Sequence, residues 1–155
     1  MHANEQLIHT FYNAFAKRDS TTMAECYAVN PYFSDPVFVS LNGATVPGMW
    51  HMLCGRAKDL QVAASNITAN DVAGSAHWEA RYHFSTGRMV HNVIEAKFTF
   101  TDGKIKTHID SFDLYKWARQ ALGLKGTLLG WTPLVQSAIR KQATRGLVTF
   151  MAKQL

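Results

Sequence analysis

The chain has 155 residues, one domain's worth, of which 47% are hydrophobic and 12% aromatic, enough for a sizeable core. That profile excludes a disordered chain, and no uncharged apolar run approaches the roughly 18 to 20 residues that span a bilayer. The net charge of +5 is uneven: residues 1–114 carry 9 Lys/Arg against all 11 Asp/Glu, while residues 115–155 carry 7 Lys/Arg and no acid.

The N-terminal stretch MHANEQLIHTF lacks the basic-then-apolar order of a secretory signal. Residues 5–17 space Leu7, Ile8, Phe11, Tyr12 and Phe15 as one face of an amphipathic helix. Asp19-Ser20 caps a second, short helix through about Tyr27, which Asn30-Pro31 breaks. A strand is expected over residues 32–40, interrupted at Asp35-Pro36, with a turn at Asn42-Gly43. Pro47-Gly48 opens a third helix over 48–59, carrying Met49, Trp50, Met52, Leu53 and Ala57. Two cysteines, Cys26 and Cys54, make neither a disulfide framework nor a zinc-ligand spacing, so a reducing, cytoplasmic setting is expected.

Strands follow over 60–69, 77–84, 89–100 and 104–114, rich in aromatic and β-branched residues. Thr86-Gly87 and Asp102-Gly103 read as two-residue hairpin turns. Helical spacing returns at 115–122, and after the link GLKGTLLGW a last helix runs over 133–153 from Pro133. The basic charge of this tail fits a membrane surface, nucleic acid or an acidic partner, and equally a helix with a wet lysine face. Helices followed by an antiparallel meander give an α+β class, with helices on one face of a curved sheet and a pocket between them.

Two-residue loops fix which residues lie opposite each other. Counting from them sets Trp78 opposite Glu95, Tyr82 opposite His91 and Ala80 opposite Val93. On the next pair it sets Glu95 opposite Asp110 and Lys97 opposite His108. One mixed face then holds Trp78, Tyr82, His91, Val93, Glu95, His108, Asp110 and Phe112, and is expected to line the pocket. Glu95 facing Asp110 is the sharpest feature, because like charges across a strand pair destabilise unless one is protonated or a cation intervenes. A carboxyl kept neutral can donate a hydrogen bond to a developing oxyanion. The opposite face also reads as apolar, which predicts a dimer through it.

In order and spacing, the chain resembles the nuclear transport factor 2-like superfamily in its SnoaL-like and ketosteroid-isomerase-like branch. The resemblance covers roughly residues 4–114. It rests on the helix–Arg18-Asp19–helix–Tyr27 order, Phe33-Ser34-Asp35-Pro36, Gly48 at the third helix and the hairpin Asp102-Gly103-Lys104-Ile105. It implies a cone-shaped α+β barrel, with N-terminal helices packed in a strongly curved antiparallel sheet, dimeric through the sheet's outer face. Residues 1–114 form the cone and 115–155 a helical extension packed on it. By the same resemblance Asp35 falls on a general base, Glu95 on the protonated acid of an oxyanion hole, Tyr27 on a supporting tyrosine and Phe112 on a pocket aromatic. Phe11 falls where the oxyanion tyrosine would stand and has no hydroxyl to donate.

The expectation is cofactor-free acid/base chemistry (isomerase, cyclase or dehydratase) on a small hydrophobic carbonyl compound. The rivals are a noncatalytic ligand carrier and a dimeric adaptor using its basic tail. Asp35, Glu95 and Asp110 are the catalytic candidates. Tyr12, Phe15, Tyr27, Phe33, Trp50, Trp78, Tyr82, His91, Val93, His108 and Phe112 are the pocket candidates. Asp35 before a proline equally caps a turn, and a histidine on an aromatic face is more often a bonded core residue. No metal, cofactor or nucleic-acid partner is expected. The last helix is expected to close the cone or meet the dimer mate rather than lie on a membrane.

Overall fold

The computed structural model describes residues 1–154. Helix α1 (Ala3–Ala16) forms as its spacing demands: Ile8, Phe11, Tyr12 and Phe15 are buried on one face, and the His2 side chain accepts the Asn4 N–H at its start. Helix α2 (Ser20–Glu25) is capped by Asp19, whose side chain accepts the Thr22 N–H. It stops two residues before its expected end, because strand β1 (Tyr27–Ser34) already begins at Tyr27. A short β2 (Leu41–Asn42) and helix α3 (Thr45–Arg56) follow.

Strands β3 (Gln61–Ala69), β4 (Ala73–His83), β5 (Met89–Thr101) and β6 (Lys104–Ser111) complete the sheet, in the order β2-β1-β6-β5-β4-β3. The sheet is strongly curved and stays open at its edges, and with the helices it makes the cone-shaped α+β fold that the resemblance implies. All neighbours pair antiparallel except β1 and β6, which run parallel. Beyond it lie α4 (Leu114–Leu122), α5 (Leu124–Leu129) and α6 (Pro133–Lys153). The expected glycine link is thus largely helical. Gly126 lets α5 lie flat on α4: a Cβ there would sit 1.9 Å from the Ala118 carbonyl oxygen.

The first hairpin loop has three residues, not two. Phe84 N–H bonds the Arg88 carbonyl, Gly87 N–H bonds the Phe84 carbonyl, and Gly87 takes φ +83°. A turn followed by a left-handed glycine is a standard three-residue solution. It moves the register by one: Trp78 faces Ile94, Ala80 faces Asn92 and Tyr82 faces Val90. The second turn is two residues long as expected, with Asp102 and Gly103 both left-handed. A bulge at Lys106 then shifts that register by one as well, so Asp110 faces Ala96 and His108 faces Phe98.

The two shifts cancel between β4 and β6 and turn β5 over alone. Glu95, His91 and Val93, expected in the pocket, therefore point outward. Inward come Val90, Asn92, Ile94, Ala96 and Phe98, all but Asn92 among the buried apolar residues. Hydrophobic burial explains the outcome, since a one-residue slip would exchange this apolar set for a charged one. The expected second apolar face is absent. Its place is taken by His77, Glu79, Arg81, His91, Glu95 and Lys97 with Val93 and Ile109 among them, which removes the premise of the dimer argument.

Candidate functional site

A cavity of about 640 Å³ opens between the inner sheet face, α3, and the extension. Phe15, Trp50, Trp78, Tyr82 and Phe112 form much of its aromatic wall, and Asp35 and Asp110 both border it. Trp117 and Leu122 of α4 and Ile139, Gln142, Ala143 and Gly146 of α6 supply another wall. The extension therefore borders the cavity, where the sequence offered closing the cone, meeting a dimer mate or docking a partner through its basic charge.

Asp35 follows the last residue of β1 and does two things at once. Its Oδ1 accepts the backbone N–H groups of Val37 at 2.7 Å and Phe38 at 2.6 Å, the turn expected of an Asp-Pro pair. Both bonds fall on one oxygen, which leaves Oδ2 for the cavity. Burial pushes the carboxyl up to about 7, with the Asp110 charge adding to it and the two backbone bonds opposing. The loop is held from outside the cone: Arg140 of α6 donates Nε–H to the Pro36 carbonyl at 2.8 Å.

Asp110 is 3% exposed and sits at the end of a buried hydrogen-bond chain. The Trp50 indole can only donate, so at 2.9 Å the Tyr27 oxygen accepts from it. The Tyr27 hydroxyl and His108 Nδ1 share a hydrogen bond of 2.7 Å. His108 Nε2–H donates to Asp110 Oδ1 at 3.0 Å, and Trp78 Nε1–H adds a bond to the same oxygen at 3.3 Å. His108, fully buried among Phe11, Phe33 and Phe98, thereby links Tyr27 to Asp110 through its two ring nitrogens. Tyr27, Phe33 and His108 support the cavity floor without bordering it. So does Tyr12, whose buried hydroxyl has no partner among the described residues.

Glu95 lies elsewhere. Its Oε1 meets His77 Nδ1 at 2.5 Å on the outer face, with the glutamate side chain 65% exposed. His91 bonds Glu79 at 2.6 Å on that same face, and Val93 is 37% exposed there. The carboxylate expected opposite Asp110 is thus on the other side of the sheet. A sequence signal for this existed: glycine in third place of Ser85-Thr86-Gly87 suits the three-residue loop. Asn92, Trp117 and the Arg140 tether were missed, the first through the register and the other two because only tertiary packing brings them in.

Among the described residues no group of three or more His, Cys, Asp or Glu is placed to hold a metal ion, and no helix is long and apolar enough to cross a membrane.

Solved structures confirm the architecture. An NTF2-like protein of unknown function from Burkholderia pseudomallei matches at a TM-score of 0.68 and 17% identity, over 78% of this chain and 98% of its own. An LEH-like epoxide hydrolase of M. tuberculosis matches at 0.66 and 19%, over 83% and 96%. A proposed polyketide cyclase from Xanthomonas campestris pv. campestris matches at 0.65 and 19%, over 77% and 96%. These identities establish the fold and leave the chemistry to the site. None of the curated proteins matches this sequence. The SnoaL-like domain model matches residues 8–108, the helices and strands that build the cone, and the chain belongs to that family.

Proposed function

We propose that this protein carries out cofactor-free proton-transfer chemistry on a small hydrophobic carbonyl compound, as an isomerase, cyclase or dehydratase. The observation that carries the reading is Asp35: a carboxyl on the wall of an aromatic cavity, with one oxygen tied to the backbone and the other without a hydrogen bond among the described residues. Its value of about 7 lets it both take and return a proton near neutrality. Oδ2 removes a proton from the carbon next to the carbonyl, and the C–H electron pair moves into the carbonyl oxygen as an enolate. The proton is returned to another carbon; or the enolate carbon adds to a second carbonyl carbon, whose C–O π pair moves onto its oxygen and takes that proton; or the enolate expels a β-hydroxyl, which leaves as water with that proton. Asp110, held by His108 and Trp78, keeps a second carboxylate in the cavity and biases Asp35 toward its protonated form. The family match and the proposed cyclase among the structural neighbours agree with this class.

The test is exchange of α-hydrogens for deuterium in small apolar ketones such as 2-indanone and 2-tetralone, followed by NMR. Exchange should rise with pH through about 7 as Asp35 ionises. Asp35→Asn should lower it by roughly 100- to 10,000-fold. Ketones that bind but do not exchange would instead identify a ligand carrier, and exchange untouched by Asp35→Asn would remove Asp35 as the base.

A further inference from the structure

An enolate oxygen needs hydrogen-bond donors, and neither position that the resemblance gives to them supplies one. Phe11 has no hydroxyl, and Glu95 lies outside the cavity. The three indole N–H groups at the cavity wall are also committed: Trp50 to Tyr27, Trp78 to Asp110 and Trp117 to Tyr82. Carboxylates Asp35 and Asp110 would repel a developing negative charge while ionised.

Tyr82 is different. Its hydroxyl oxygen receives the Trp117 Nε1–H at 2.8 Å, and since an indole can only donate, the phenol oxygen is the acceptor. The phenol's own proton then has no acceptor among the described residues, and Tyr82 borders the cavity. An accepted bond at the oxygen also strengthens the proton it gives away. Asn92 lies diagonally across the strand pair, opposite Ala80 while Tyr82 is opposite Val90. Diagonal neighbours on one sheet face stand about 7 to 8 Å apart, close enough to flank one ligand atom. Asn92 also borders the cavity, and its side-chain amide has no partner among the described residues.

We propose that Tyr82 and Asn92 form an oxyanion subsite for an enolate or phenolate oxygen borne on an apolar skeleton, with Trp117 as its positioning residue. The subsite rests on the proton-transfer reading, and it completes the charge balance of that step. Asp35 becomes neutral by taking the proton at the moment the carbonyl oxygen becomes negative, so the cavity's net charge does not change. Trp117 is well placed to hold the phenol. It is 7% exposed, packs edge-on to Phe84 at 5.1 Å, and sits in a cluster with Val90, Leu114, Ala118 and Ala121. It lies in α4, beyond the residues 8–108 that the family defines. The extension would therefore contribute to chemistry as well as to closure.

Substituted phenols and naphthols of rising acidity test the subsite, bound to Asp35→Asn, whose neutral amide stands in for protonated Asp35. Naphthalene serves as a probe of cavity shape alone. Affinity should rise with phenol acidity, and the bound ligand's absorption should show the phenolate. Adding Tyr82→Phe should cost the most acidic phenols about 10-fold or more and flatten that dependence, while naphthalene binding stays unchanged. Trp117→Phe, which keeps the phenol but not its anchor, should flatten it partly. Unmodified protein at pH 5.5, below the Asp35 value, gives the same comparison should the Asn variant fold poorly. Affinity independent of acidity, a dependence untouched by Tyr82→Phe, or an equal loss for naphthalene would each overturn the subsite. If ketone exchange depends on Asp35 while Tyr82→Phe keeps the acidity dependence, only the subsite falls. If phenolates bind as expected and no ketone exchanges, the subsite stands and the catalytic reading falls.

Discussion

The two faces of the central strands carry the same pairing, a histidine on a carboxylate, in opposite solvents. Inside, His108 Nε2 and Asp110 Oδ1 are 3.0 Å apart with side chains 0% and 2% exposed. Outside, His77 Nδ1 and Glu95 Oε1 are 2.5 Å apart with side chains 24% and 65% exposed. The shorter contact is the weaker one. Water screens the outer pair and can replace either partner, so such pairs contribute little net stability. In the interior nothing replaces a lost partner, and each remaining polar group keeps its full desolvation cost. Position in the sheet, rather than the chemistry of the pair, decides which is built into the site.

Removing one inner partner should show the largest effect. His108→Ala strands the Tyr27 hydroxyl and the Asp110 carboxylate and opens a hole beneath the aromatic wall. We expect a loss of about 3 to 5 kcal/mol in urea unfolding. A loss under about 1 kcal/mol would mean that water fills the gap and the contrast between the faces does not hold.

A smaller effect of opposite sign is expected at Asp35. Its folded value, about 7, lies above the ordinary 3.8. The unfolded chain therefore ionises first, and stability falls as pH climbs from about 4 to 7, then levels off. Asp35→Asn removes that penalty and keeps an oxygen for the Val37 and Phe38 N–H groups. At pH 8 the variant should be more stable by about 2 kcal/mol, less than the full linkage because the carboxyl keeps partial access to the cavity. Unfolding curves from pH 4 to 8 that run parallel for the two proteins would show an Asp35 indifferent to folding.

The outer face should respond least. Glu95→Gln is expected to cost about 0.5 kcal/mol and to leave ligand binding in the cavity unchanged. The hydrogen bond that His77 donates to Glu95, with the one to Glu79 second, holds His77 above its ordinary 6.5. That contribution is complete below pH 6.5 and disappears as pH rises through the raised value, so the variant should differ from the parent mainly in acid. A pH-independent difference, or a change in cavity affinity, would give Glu95 a reach through the sheet that its geometry does not show.

Much of this was legible in the residues. The spacing of Leu7 through Phe15, the Asp19 cap, Pro133 at the start of α6 and the Asp102-Gly103 turn act over a few residues, and each element formed where local chemistry placed it, apart from ends that moved by a few residues. The family resemblance, too, placed Asp35 on a loop that reaches the cavity, since an Asp-Pro turn at a strand end needs little outside help.

Tertiary structure decided what no local rule could. Whether Ser85 joins the first loop, and whether Lys106 bulges, are small local differences that each reverse every side chain on a strand. The choice fell to burial of Ile94, Ala96 and Phe98 against α1 and the helices around it, which put Asn92 inside and Glu95 outside. The bonds from Trp117 to Tyr82 and from Arg140 to Pro36 join residues 35 and 104 positions apart. Such partners are chosen by packing of the whole cone, and helical periodicity says only which face they occupy. The sequence alone thus determined most of the elements, the family and the Asp-Pro turn that brings one carboxylate to the cavity wall; the surroundings of Asp110, and which side chains of β5 face inward, came from how the strands and the extension were finally pressed together.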